Sequence, residues 1–203
     1  MKLDRTIGMH PRYQSGKVFF NKDAKLSREI LYTSANLLLG YQHSTQRQRL
    51  FYERPTTTIE HLHVDGNFAF TVTRASDVPL PYLQAESGNK DFEISIWNVQ
   101  DSQMVFSFKP PLSNMHSICL NQTENRQEHY LCVSGRDFQK RDAIIIYNFE
   151  ELITQKRVEI YARQLCDFDL VNIRFNDANH QALIACGREN IRFFKIKNGH
   201  LPG

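Results

Sequence analysis

The feature that most constrains this chain is a short strand-like pattern that recurs along it at nearly constant spacing. An alternating, aromatic-bearing run appears as EISIWNV at 93–99, as AIIIYNF at 143–149 and as IRFFKIK at 191–197. The aromatic residues Trp97, Tyr147 and Phe194 are therefore spaced by roughly 50 residues. A repeat of this length indicates a fold in which copies of one small unit stack against each other.

Each repeat contains four short β-like runs separated by polar or turn-forming residues. One unit, for example, reads MHSICLNQ, HYLCVSG, DAIIIYNF and RVEIYARQ. Four antiparallel strands per repeat are typical of a β-propeller blade. We predict an all-β propeller of about four blades, at 17–54, 59–109, 115–164 and 169–203. Because most propellers have more blades, we expect a partial or incomplete ring.

Several local features follow from this assignment. The recurrent aromatic residues are expected on the third strand of each sheet, filling the space between neighbouring sheets. Gly135 and Gly187 are expected to permit close backbone approach and to adopt positive φ. The segment 148–156, with its EELI core, could form one helical turn, and the long polar insert 74–91 is expected to project as a loop.

The repeat resembles the WD repeat in a degenerate form. IWNV stands where that family has its Trp-Asp dipeptide, with Asn98 in place of the acid. The Gly-His pair that the family has before the first strand is missing from every unit, and a clear acid is missing from the tight turn of most units. The departures lead us to expect that the family's buried hydrogen-bond network is lost and that packing between sheets holds the blades.

Two longer stretches resemble the ciliary and centriolar WD-repeat protein 90 group. They are REILYTSANLLLGYQHSTQRQRLFYE near the start and CDFDLVNIRFNDANHQALIACGRENIRFFKIKNGHL near the end. The resemblance implies a non-enzymatic scaffold of the cilium, axoneme or centriole, located in the cytoskeleton of the cytoplasm. Its implied partners are other proteins of a large assembly, including tubulin of the doublet or triplet microtubule wall. The alternative is a generic WD-repeat adaptor in a soluble cytosolic or nuclear complex.

Motifs for chemistry are missing. The sequence contains no GxSxG elbow and no GxxxxGK[ST] or GxGxxG loop, so we expect no enzyme, cofactor or small-molecule substrate. His61 and His63 share one strand face, but no third ligand stands at supporting spacing, so no metal site is expected. The absence of a long apolar run predicts no membrane span. The four widely spaced cysteines are expected to be reduced thiols.

Two basic clusters are the candidate partner-binding residues. The first comprises Arg47, Arg49 and Arg54, and the second comprises Arg136, Lys140 and Arg141. Such charges are compatible with a solvated face that protects a sheet edge, or with docking to an acidic protein surface such as tubulin. The second cluster contains one aromatic residue, Phe138, and no stacking array, so nucleic acid is not an expected partner.

Overall fold

A computed structural model describes residues 18–20, 29–34, 36–53, 57–75, 92–121, 123 and 128–203. The strands of the first half are β1 (Phe19–Phe20), β2 (Glu29–Ser34), β3 (Leu37–Gln42), β4 (Arg47–Glu53), β5 (Thr57–Asp65), β6 (Phe68–Ala75), β7 (Phe92–Asn98) and β8 (Met104–Phe108). Those of the second half are β9 (Asn114–Leu120), β10 (Tyr130–Arg136), β11 (Asp142–Asn148), β12 (Ile160–Leu165), β13 (Leu170–Asn176), β14 (Asn179–Gly187) and β15 (Ile191–Lys195).

The strands form four sheets in which sequence neighbours pair antiparallel. The sheets are β1–β4, β5–β8, β9–β12 and β13–β15, so the fourth contains three strands. The prediction of an all-β chain with about four blades is confirmed. A π-type helical turn at Glu151–Gln155 follows β11, where the EELI segment predicted one turn.

The three recurrent aromatic residues occupy equivalent places on the third strands, as predicted. Trp97 of β7 lies opposite Ala69, Tyr147 of β11 opposite Leu131, and Phe194 of β15 opposite Leu183. A β-bulge precedes Trp97 where β7 pairs with β8, and another precedes Tyr147 where β11 pairs with β12. The repeat is therefore conserved within the chain down to its bulge.

The chain divides into two compact units, residues 1–110 and 111–203. In the first, sheets β1–β4 and β5–β8 share an apolar core. This core contains Leu31, Leu38, Phe51, Ile59, Leu62, Ala69, Trp97 and Val99. Alternation along each strand places these side chains on facing sheet surfaces, and burial of such side chains contributes roughly 1.5–3 kcal/mol each.

In the second unit, sheet β9–β12 packs against sheet β13–β15. The shared core includes Cys132, Ile144, Ile146, Leu170, Ile173, Leu183 and Phe194. Residues 144–146 of β11 are fully buried. Such a continuous apolar run is typical of a strand covered on both faces.

Buried hydrogen bonds accompany the apolar packing between sheets, whereas the loss of the family's own network stays a prediction. Trp97 Nε1 donates to Thr71 Oγ1 at 2.9 Å inside the second sheet. Asn121, which is 1% exposed, donates to the His180 carbonyl at 3.0 Å and so ties β9 to β14 of the next sheet.

Gly135 and Gly187 confirm one expectation and contradict another. A Cβ at Gly135 would collide with the backbone of Asn114, and one at Gly187 would lie 2.8 Å from the Phe168 ring. Both positions therefore require glycine for space. Positive φ among the described glycines occurs at Gly66 and Gly199 instead, so that part of the prediction is wrong.

The predicted insert begins later than expected. Arg74 belongs to β6, where it pairs with Glu60 at 3.0 Å and lies 4.3 Å from the centre of the Phe92 ring. These contacts hold Arg74 in the sheet. The loop predicted between Ser76 and Lys90 lies outside the described residues.

Candidate functional site

The second predicted cluster lies on the turn that joins β10 to β11, which we call the basic turn (136–142). Asp137 organises it. Its Oδ1 accepts hydrogen bonds from the backbone N–H groups of Gln139 at 2.8 Å and Arg141 at 2.9 Å. The Asp137 N–H donates to the Arg141 carbonyl at 2.9 Å and so closes the turn. Aspartate suits this place because its short side chain can bond to backbone two residues onward.

The other carboxylate oxygen of Asp137, Oδ2, accepts hydrogen bonds from two arginines. Arg141 donates to Oδ2 through Nε at 3.1 Å and Nη2 at 2.9 Å, and Arg163 of β12 donates at 3.3 Å. The Arg141 backbone N–H lowers the pKa of Asp137 below its ordinary value. Burial opposes the shift, while the Arg141 guanidinium adds to it. The Asp137 carboxyl is thus a charged anchor for two arginines.

Asp142, at the other end of the turn, joins two sheets. Its Oδ1 lies 3.1 Å from His116 Nε2 and accepts a bond from Arg136 Nε at 3.1 Å. Its Oδ2 accepts the backbone N–H of Leu170, the first residue of β13, at 2.8 Å. Burial of this 6% exposed side chain would raise its pKa. The bonds from Leu170, His116 and Arg136 outweigh burial and lower the pKa instead.

This scaffold presents the tip of the turn to solvent. Phe138 is 53% exposed, and Gln139 and Lys140 beside it are exposed as well. Lys140 has φ of 63°, a left-handed conformation that is uncommon for lysine. The tip of the turn therefore exposes an aromatic ring beside cationic side chains.

The first predicted cluster is arranged differently. Arg49 of β4 bonds to both carboxylate oxygens of Glu29, at 3.0 and 2.7 Å. It also donates to the Val99 carbonyl at 2.8 Å and to Ser102 Oγ at 2.7 Å, and its guanidinium lies 4.6 Å from the Phe51 ring centre. Arg49 therefore clamps the first sheet to the turn that follows β7.

The remaining members of the first cluster do not join Arg49 in one described site. Arg47 is exposed at the start of β4, and Arg54 lies outside the described residues. Of the six predicted residues, the structure brings together Arg136, Lys140 and Arg141 on the basic turn.

Three residues of the site were missed by sequence reasoning. They are Asp137, Asp142 and Arg163. The signal for the two acids is present in GRDFQKRD, which has an aspartate on each side of a turn-length segment. Arg163 lies on β12, away from the basic run in sequence, and no local pattern links it to Asp137.

The other candidates for chemistry are structural in character. His63 packs edge-on against Phe19, with ring centres 5.8 Å apart. Within the part of the chain that the structure describes, no group of three metal-ligating residues is present. The four cysteines are free thiols, and burial raises the pKa of Cys166 to about 11. No described helix is long and apolar enough to cross a bilayer.

The sequence shows similarity to two curated proteins. It is 19% identical over 108 residues, 53% of this chain, to WD repeat-containing protein 90 of Xenopus tropicalis. It is 29% identical over 75 residues, 36% of this chain, to centriole proteome protein 16 of Chlamydomonas reinhardtii. The matches cover 6% and 4% of those proteins, so the chain spans only a small part of the relatives it matches. No model of a known protein family matches the sequence.

These relationships agree with the four sheets and their equivalent third strands. The fold is of the WD-repeat β-propeller type. Among solved structures, a Bacteroides fragilis protein assigned as a 6-phosphogluconolactonase aligns with a TM-score of 0.58. The alignment covers 96% of this chain and 56% of that one at 16% identity. At this identity the likeness to the bacterial protein shows the fold alone.

Proposed function

We propose that this chain is part of a non-enzymatic scaffold of the cilium, axoneme or centriole, which holds other proteins on or near microtubules. The supporting observation is its similarity to WD repeat-containing protein 90 and to centriole proteome protein 16. Both matches are distant, but a WD-repeat type fold suits the role because its rigid sheets present turns and edges to partners.

The basic turn is the partner-binding surface that we propose. Asp137 and Asp142 fix its backbone, so little conformational entropy is lost when a partner binds. Phe138 supplies exposed apolar area and Lys140 an exposed positive charge. A microtubule wall, as an acidic lattice, is the partner that we propose for this surface. Weak contacts that repeat along a polymer produce retention through avidity.

The test is retention on the cytoskeleton of ciliated cells after detergent extraction. The tagged chain is expected in the insoluble fraction and on axonemes or centrioles. The double variant Phe138→Ala/Lys140→Glu is expected to become soluble at moderate salt. Both side chains are exposed and neither builds the turn through its side chain, so thermal stability should be unchanged.

Arg188→Glu is the matched control, because Arg188 is 76% exposed and lies in the same unit. Complete solubility of the unmodified chain would contradict the scaffold function. Retention of the Phe138→Ala/Lys140→Glu variant at the level of the Arg188→Glu control would instead show that a different surface binds the partner.

A further inference from the structure

Two adjoining cavities lie beside β12 in the second unit. The larger, of about 480 Å³, is lined by Arg163, Lys197 and His200 among others. The smaller, of about 430 Å³, is lined by Tyr130, Tyr161, Lys195 and again Lys197. Lys197 and Asn198 line both cavities, so the two adjoin, and we call the pair the β12 groove.

One wall of the β12 groove is a tight hairpin turn after β15. Lys197 and His200 exchange two backbone hydrogen bonds of 2.9 Å, and the residues between them, Asn198 and Gly199, have φ of 47° and 77°. This is the two-residue turn that Asn-Gly favours. The turn fixes the backbone of Lys197 at the boundary between the two cavities.

Positive charge dominates the groove. No carboxylate stands among the described residues that line the larger cavity, whereas Arg163 and Lys197 are cationic and His200 becomes so when protonated. The smaller cavity adds Lys195 and contains one acid, Glu128. Walls of one charge sign concentrate the field in a depression and attract ligands of the opposite sign.

The β12 groove continues into the basic turn. Arg163 lines the larger cavity and also bonds to Asp137, the same carboxylate that holds Arg141. Cationic side chains therefore lie on both sides of Arg163, with Lys140 and Arg141 on the basic turn and Lys197 and Lys195 in the groove. Charges distributed over a turn and two cavities suit an extended ligand better than a compact anion, and the cavity volumes admit several side chains.

The geometry of the aromatic residues in the groove favours a peptide over a nucleic acid as its ligand. The rings of Tyr130 and Tyr161 pack on each other, with centres 5.1 Å apart, and Tyr130 is 7% exposed. They do not form a platform on which bases stack. Burial raises the pKa of Tyr130, and a hydrogen bond to Tyr161 adds to the shift.

We propose that the β12 groove binds an extended acidic peptide segment of a partner protein, with carboxylates placed at Lys195, Lys197 and Arg163. This inference rests on the proposed scaffold function and states the chemistry by which the partner is recognised. The basic turn and the groove then act as one surface, in which Phe138 contacts the folded part of the partner and the groove takes its acidic segment.

The test measures binding of the full chain to a fluorescently labelled glutamate-rich peptide by anisotropy. A glutamine-for-glutamate peptide and a single-stranded oligonucleotide of similar length serve as comparison probes. We expect measurable affinity for the glutamate peptide alone, weakened by salt. Lys195→Glu/Lys197→Glu should weaken it by about tenfold or more. Arg174→Glu/Arg188→Glu, with the same charge change on exposed residues outside both cavities, should leave it within about twofold.

Three results would overturn the inference. They are no binding of the glutamate peptide, an equal loss in the two double variants, or tighter binding of the oligonucleotide, which would assign the groove to nucleic acid. Should the reversed variant misfold, Lys195→Gln/Lys197→Gln tests the same contacts without new repulsion. Retention on cytoskeletons without peptide binding would contradict the proposed groove but support the scaffold function. Peptide binding without retention would support the groove but contradict the scaffold function.

Discussion

Arg49 on β4 and Arg141 on the basic turn come from the two basic clusters that look alike in sequence, yet their surroundings differ. Arg49 is 28% exposed and pairs with Glu29, whose side chain is 4% exposed. Arg141 is 48% exposed and pairs with Asp137, whose side chain is 5% exposed. Arg49 joins two sheets, whereas Arg141 stiffens a turn whose tip remains open to solvent.

The difference follows from where each acid lies. Glu29 is on β2, twenty residues before Arg49. Gly40 on β3 leaves room for the Glu29 carboxylate, because a Cβ at position 40 would collide with it. Asp137 precedes Arg141 by four residues within one turn. A long-range partner makes an arginine part of the fold, and a local partner makes it part of a surface. Cluster composition does not distinguish these cases.

The largest effect is expected for Arg49→Ala. The change deprives the buried Glu29 carboxylate of its cation, so the first unit should lose about 2–3 kcal/mol of unfolding free energy. Urea unfolding followed by Trp97 emission measures this, because the single tryptophan lies in the first unit. Arg47→Ala, on the same strand but exposed, is the control and should change stability by less than about 0.5 kcal/mol. Equal losses of stability in Arg49→Ala and Arg47→Ala would show that the pairing of Arg49 with Glu29 does not stabilise the first unit.

A smaller effect is expected at Asp142. Asp142→Asn keeps the shape and removes the charge that accepts bonds from Leu170 and Arg136, so the second unit should lose about 1–2 kcal/mol at neutral pH. Amide hydrogen exchange of β10 and β11 measures the loss, with Trp97 emission as an internal reference for the first unit. Unchanged exchange would show that Asp142 adds no net stability.

The same carboxylates determine the acid response. The pKa values of Asp137 and Asp142 are lower in the folded chain than the ordinary value of 3.8. Their contribution is therefore complete above about pH 4 and is lost as the pH falls through the lower folded-state values. The protection factors of the β10 and β11 amides, which compare measured with intrinsic exchange rates, should fall in that window, and less so in Asp137→Asn/Asp142→Asn. An identical acid profile of the variant would contradict this assignment.

Sequence reasoning could predict what depends on period and alternation. The four sheets and the equivalence of Trp97, Tyr147 and Phe194 follow from local pattern, as does the position of the basic turn. The roles of Arg49, Arg163 and Asp142 depend on partners far along the chain, with Asp142 reaching the Leu170 N–H 28 residues away. Pairing at that distance is decided by how sheets pack, which composition does not encode.

Phe138→Ala tests whether Phe138 of the basic turn contributes to partner binding or to the stability of the fold. With 53% of the residue already exposed, its removal should change stability by less than about 0.5 kcal/mol. Partner binding should weaken by about 1–2 kcal/mol, since exposed aromatic anchors dominate many interfaces. Chemical unfolding and pull-down with axonemal fractions measure the two quantities. A large loss of stability would place Phe138 in the core of the second unit.

A small effect on stability, in the stabilising direction, is expected for Lys140→Gly. Lysine at φ of 63° carries backbone strain that glycine avoids, while glycine gains entropy in the unfolded chain. These terms nearly offset, so stability should rise by at most about 1 kcal/mol or stay unchanged. Partner binding should nevertheless fall, because the exposed charge is gone. Lys140→Asn, which tolerates the same backbone and also removes the charge, should bind like the glycine variant. If either neutral variant retains full binding, the Lys140 charge does not contact the partner, and the positive charge for an acidic partner comes from Arg136 and Arg141 of the turn or from the β12 groove.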